Sequence, residues 1–181
     1  MLLILVFVAI YLLRDIIGPS FIYILGSVFV IASLTDFFDG YLARKHQIVT
    51  TFGKFMDPLA DKLLVITALV VLSDLYAQGG FTMTYWMPFW VVLIVIMREL
   101  VVTSIRLVAM DEGKVIAASH LGKFKTFATM TMITYYFFIM PIATLLVQWI
   151  GIVLVIIAIL FTVISGLDYF IKNKSLITKQ I

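Results

Sequence analysis

Four aspartates, Asp36, Asp39, Asp57 and Asp61, fall within 26 consecutive residues of a chain that is 64% hydrophobic. Held close together, four carboxylates repel strongly in a medium of low dielectric unless they are protonated or share cations. The chain contains no cysteine and only two histidines, His46 and His120. A thiolate site and a disulfide framework are thereby excluded, and oxygen becomes the expected ligand. Several carboxylates and no soft donor suit Mg²⁺, Mn²⁺ or Ca²⁺. Two such ions a few ångströms apart clamp the oxygens of an in-line displacement at phosphorus. Gly40 and Gly53 would let a ligand approach the helix backbone, and Arg44 supplies a fixed cation for phosphate oxygens.

The elements that must position these groups are membrane helices. A mean hydropathy of +1.17 and 13% charged residues leave too little polar surface to cover a water-soluble globule. Apolar runs near 1–13, 20–43, 56–76, 84–109, 121–140 and 144–170 predict six spanning helices in one all-α bundle. No repeat or linker divides the 181 residues, which read as one transmembrane domain. With a cytoplasmic N-terminus, the basic residues at 44–55, 106–123 and 170–181 face the cytoplasm, and Lys62, Arg98 and Lys125 sit near the same ends. Of thirteen basic residues only Arg14 falls on the opposite side. This asymmetry supports six spans with both termini inside, and it explains the net charge of +3 without nucleic acid. The first run is short: thirteen residues rise about 20 Å against a hydrocarbon core of about 30 Å. It also lacks the features of a cleaved signal, so a native start further upstream is expected.

Asp36, Asp39, Gly40 and Ala43 share one stripe at the cytoplasmic end of the second helix, and Gly53, Asp57 and Asp61 share another at the start of the third. Antiparallel packing would set the two acidic stripes face to face near the membrane surface. Taken singly, each aspartate could be a helix cap or a solvated interfacial charge, and Asp57 before Pro58 could simply open a helix. The facing registers, with two glycines and an arginine, favour a site.

The pattern Asp36-x2-Asp39-Gly40-x2-Ala43-Arg44-x8-Gly53-x3-Asp57-x3-Asp61 resembles, without gap or substitution, the signature of the CDP-alcohol phosphotransferase family. The resemblance implies a six-helix, usually dimeric membrane enzyme that moves a substituted phosphate from a CDP-linked donor to an alcohol and releases CMP. It implies that Asp36, Asp39, Asp57 and Asp61 hold two metal ions, with Asp61 also the base for the acceptor hydroxyl. It further implies that Asp36, Gly40, Ala43, Arg44, Gly53 and Asp57 contact the CDP group.

A second stretch, Arg98 to Thr126, concerns the acceptor. Arg98, Arg106, Lys123 and Lys125 cluster at the cytoplasmic ends of the fourth and fifth helices, where a basic pocket suits an acceptor that carries phosphate. Flanking charges that snorkel to headgroups are the alternative, and Lys114 is read that way. Arg98 lies inside its span beside Glu99, where an ionisable group needs a partner or a task. Glu99 could be only that partner. The Arg-Glu pair, the later Arg106 and the run Ser119-His120-Leu121-Gly122-Lys123-Phe124-Lys125-Thr126 resemble the branch of the family that makes phosphatidylglycerophosphate in bacteria. That branch implies CDP-diacylglycerol as donor, sn-glycerol 3-phosphate as acceptor, Mg²⁺ or Mn²⁺ as cofactor, a homodimer, and a bacterial cell membrane with the site facing the cytoplasm. The short Asn-Pro and Arg-containing segment usual before the first span in that branch is not matched here. A sibling using inositol phosphate or serine is the near alternative. A cation transporter is the distant one, opposed by acidic groups gathered at one membrane face.

Overall fold

The computed structural model describes residues 2–46, 51–79, 85–111 and 119–173, without the side chains of 37, 40, 41, 43–46, 51–61, 107, 108, 110 and 111. Every regular element among the described residues is helical. The order is α1 (Leu2–Leu12), α2 (Arg14–Ile17), α3 (Phe21–His46), α4 (Thr51–Gln78), α5 (Phe89–Asp111), α6 (His120–Phe138), a 3₁₀ turn (Met140–Ile142) and α7 (Leu145–Lys172). The all-helical expectation holds, and each apolar run overlaps a helix, although the first run meets only the short α1.

The boundaries differ from the expected ones in an instructive way. α3 continues to His46 and α4 begins at Thr51, so both helices extend through charged residues that an apolar-run reading excludes. Leu42, Ala43, Arg44 and Lys45 are good helix formers, and helicity does not end where hydrophobicity does. α4 likewise runs through Pro58 rather than starting near it. At the other end α5 starts only at Phe89, because Pro88 disfavours helical backbone at Met87 before it, and the Pro88 carbonyl accepts from the Val91 N–H at 2.9 Å. Ser119 caps α6 by accepting from the Gly122 N–H at 3.1 Å, which satisfies one of the free donors of its first turn and marks where the helix begins.

A shared core joins all the long helices. Phe7 of α1 packs edge-on against Phe137 of α6 at 5.8 Å, and Phe29 of α3 lies 6.2 Å from the same ring. Gly26 permits this closeness, since a Cβ there would stand 2.7 Å from the Phe137 Cβ. α7 shows the opposite of a soluble pattern. Its buried residues, Gly151, Val155, Ala158, Thr162, Ser165 and Tyr169, are small or polar, whereas Leu160, Ile164, Leu167 and Ile171 are exposed. Water would penalise such a surface, and hydrocarbon would not. Among the described residues this helix is the one long and apolar enough by itself to cross a membrane, while Leu2–Leu12 and Phe21–Asp36 are shorter apolar helices.

A polar clasp closes the end of the bundle opposite the α3–α4 connection. The Tyr11 hydroxyl donates to Asp74, which also accepts from Gln78 at 2.5 Å, tying the end of α1 to the end of α4. The Arg14 guanidinium lies over the Tyr11 ring, 4.6 Å from its centroid. Arg14, the basic residue that the sequence sets apart from the other twelve, is therefore engaged locally.

Candidate active site

α5 and α6 meet α7 around Glu99. One carboxylate oxygen of Glu99 accepts from Arg98 Nη1 at 2.9 Å and from Lys125 Nζ at 2.6 Å. The three side chains are only 14%, 12% and 6% exposed for Arg98, Glu99 and Lys125, so their charges are held away from water. Arg98 Nη2 also donates to Ser165 Oγ of α7 at 3.1 Å, and Ser165 in turn donates to the Thr162 carbonyl. Gly166 makes room for the arginine stem, since a Cβ there would lie 3.2 Å from Arg98 Cγ.

Helical register explains which cations turn inward. From the Ser119 cap, Lys125, Thr129, Met132 and Ile133 form the buried stripe of α6, while Lys123, Phe124 and Phe127 are exposed. Along α5, Val95, Val102 and Ala109 are buried, and Arg98 and Arg106 fall on the same side at partly buried positions. The Nε atoms of Arg98 and Arg106 are both buried without a hydrogen-bond partner among the described residues. Donors in that state suit an anion.

The acidic arm is built by α3 and α4, which pack together. The buried stripe of α3, Ile22, Leu25, Phe29 and Ala32, leads to Asp36, which is partly buried, and Asp39 follows as an exposed residue. In α4, Asp57 and Asp61 precede Leu64, the first of the helix's described buried positions. The side-chain surroundings of Gly40, Ala43, Arg44, Gly53, Asp57 and Asp61 lie outside the described residues, as does Lys114 entirely. Among the described residues no three potential ligands are grouped to hold a metal ion. Acidic and basic arms nevertheless touch. Lys62, next to Asp61, donates to Thr103 of α5, and Thr103 donates to the Glu99 carbonyl at 2.6 Å.

Of the expected acceptor residues, Arg98 and Lys125 are brought together, Arg106 follows on the same side of α5 as Arg98, and Lys123 sits exposed two residues before Lys125. Glu99 partners Arg98 as its neighbour position suggests, but its bond to Lys125 spans two helices and has no local signal. The contacts of Ser165 and Thr103 lie outside the sequence expectations. The signal for Ser165 was available: Thr162, Ser165 and Tyr169 are polar at helical spacing within an otherwise apolar helix.

Taken with the acidic pattern, the helical bundle and its buried cation cluster define a class. The chain belongs to the CDP-alcohol phosphatidyltransferase family, which it matches over residues 1–164. It is 42% identical over 154 residues to a CDP-diacylglycerol--glycerol-3-phosphate 3-phosphatidyltransferase of Bacillus subtilis (strain 168), covering 81% of this chain and 71% of that one. A probable phosphatidylglycerophosphate synthase of Mycobacterium tuberculosis (strain ATCC 25618 / H37Rv) is 41% identical over 143 residues, 79% of this chain and 62% of its own length. A relative in Wigglesworthia glossinidia brevipalpis with the same name as the Bacillus protein is 34% identical over 148 residues, 79% of this chain and 74% of its own.

Proposed function

We propose that this protein transfers the phosphatidyl group of CDP-diacylglycerol to sn-glycerol 3-phosphate, giving phosphatidylglycerophosphate and CMP. Family membership and the names of its relatives support the reaction class. The observation that carries the acceptor is the buried Arg98–Glu99–Lys125 cluster, which has one more cation than anion and is linked to the Asp61 segment through Lys62 and Thr103. A neutral alcohol would need no such surplus of buried positive charge.

The bundle is read as six spans in a bacterial cell membrane, with the α3–α4 connection and both termini facing the cytoplasm, working as a homodimer. The exposed apolar faces of its helices and the one-sided distribution of basic residues support that topology. The lipid tails of the donor would remain in the cytoplasmic leaflet while its CDP group meets Asp36, Gly40, Ala43, Arg44, Gly53 and Asp57. The donor set fits hard divalent cations: four carboxylates on two adjacent helices, with no competing thiolate. Bound through Asp36, Asp39, Asp57 and Asp61, two Mg²⁺ or Mn²⁺ ions would offset the charge developing on the leaving CMP.

Each remaining role falls to the chain's own residues. Arg98, Arg106, Lys123 and Lys125 hold the acceptor phosphate and so orient its 1-hydroxyl. Asp61 accepts the proton of that hydroxyl as its oxygen attacks the phosphorus on the lipid side. Arg44 meets the phosphate that leaves with CMP. The test is a panel of acceptors (glycerol 3-phosphate, inositol phosphate, inositol, serine, glycerol) with purified protein, CDP-diacylglycerol and Mg²⁺, following CMP. Release that requires glycerol 3-phosphate and stops on chelation is expected. Release with a neutral acceptor instead, or cation flux in liposomes without CMP, would overturn the assignment.

A further inference from the structure

We propose that Glu99 is a positioning residue of the acceptor site, converging Arg98 and Lys125 on one phosphate, and that Ser165 sets the direction of Arg98. This inference rests on the acceptor reading above and adds residues to it that neither the acidic signature nor the basic residues themselves contain.

The geometry is specific. A single oxygen of Glu99 takes both cations, so the guanidinium and the ammonium are kept within two hydrogen-bond lengths of each other across α5 and α6. Two like charges at that separation, buried as these are, repel and would swing apart without the shared carboxylate. A purely structural ion pair would close at zero charge, and the fold has no need of one, because apolar packing commonly serves a buried site as well or better. This cluster closes at a net positive charge. One of its donors, Arg98 Nε, is buried with no partner among the described residues. The Ser165 hydroxyl occupies Nη2, leaving the guanidinium with one orientation rather than a choice of rotamers. A preset pair of cations with an unspent charge is what a phosphate dianion would bind.

Neither residue touches the reacting atoms, so the readout is a split between the two substrates in the full chain, reconstituted in detergent with Mg²⁺. Glu99→Gln is expected to raise KM for glycerol 3-phosphate by about tenfold or more, the scale of a lost charge-assisted hydrogen bond, with KM for CDP-diacylglycerol within about twofold. Glu99→Asp, which keeps the charge on a shorter arm, is expected to recover part of the loss. Ser165→Ala should move the same constant in the same direction by about threefold. An acceptor KM that is unchanged or lower in Glu99→Gln, or an equal rise for both substrates, overturns the proposal. If Glu99→Gln does not fold, Ser165→Ala decides alone, and an unchanged acceptor KM there overturns it. A wild-type enzyme that ignores glycerol 3-phosphate but uses another alcohol overturns the acceptor reading instead. The variants are then measured on that alcohol, where an effect on a phosphorylated acceptor upholds Glu99 and a non-phosphorylated acceptor removes its purpose.

Discussion

Lys62, the residue after Asp61, donates its ammonium to the hydroxyl of Thr103, one helical turn beyond Glu99. Through this contact the helix bearing two of the aspartates is registered against the helix bearing Arg98 and Glu99. If the donor is held on one arm and the acceptor on the other, as proposed, their reaction depends on that registration, since a displacement of about 1 Å can cost about a hundredfold in rate. Thr103→Val removes the acceptor oxygen while keeping the side chain's shape. We expect kcat/KM to fall by about ten- to a hundredfold with the helical content unchanged by circular dichroism.

Asp61→Asn keeps the volume of the side chain and removes its basicity. Loss of a general base costs about 10²- to 10⁴-fold, so turnover measured by CMP release is expected to drop by at least that range while the protein still elutes as the wild type does. Substantial remaining turnover would rule out the base role.

Arg106 and Lys123 differ in environment, and their variants should differ accordingly. Arg106 carries a buried, unpartnered Nε, whereas Lys123 is exposed at the start of α6. Arg106→Ala is expected to raise KM for glycerol 3-phosphate by about tenfold or more, and Lys123→Ala by only a few-fold, because a solvated cation contributes roughly 0–1 kcal/mol. Both should leave KM for the lipid nearly unchanged in steady-state kinetics.

The exposed apolar face of α7 tests the membrane setting directly. Leu160 is 54% exposed near the middle of that helix. Leu160→Arg would place a charge in hydrocarbon at a cost of about 2.5–3.5 kcal/mol. Lower recovery in the membrane fraction is expected, whereas Leu160→Phe should insert normally.

Gly26 sets the distance between α3 and α6. A Cβ there meets the Phe137 Cβ at 2.7 Å, and that atom cannot swing away as a side-chain tip can. Gly26→Ala is expected to destabilise the bundle by about 1–3 kcal/mol through overpacking, visible as a lower midpoint of thermal unfolding in detergent. Activity per folded molecule should change much less.

Much of this protein was legible before any coordinates. Charge is so scarce in an apolar chain that each aspartate or arginine stands out, and helical periodicity alone puts Asp36 with Asp39, and Asp57 with Asp61, on common stripes. Composition determined the helical class, and the extent of the apolar runs determined where the long helices lie. Two things were not legible. Helix ends slipped by several residues because hydrophobicity marks lipid contact rather than backbone conformation, as α3 and α4 show by continuing through their charged segments. Partners across helices were hidden as well. Nothing local to Lys125 says that it, rather than Lys123, turns toward Glu99, or that Ser165 meets Arg98 from a helix 67 positions away. Those pairings depend on how α6 is rotated against α5 and on the close approach of α7 at Gly166, which exist only once the helices have packed. Residue types and spacing thus determined which chemistry this chain can perform, while tertiary packing decided which cations stand together, because a buried charge must find its partner in space rather than in sequence.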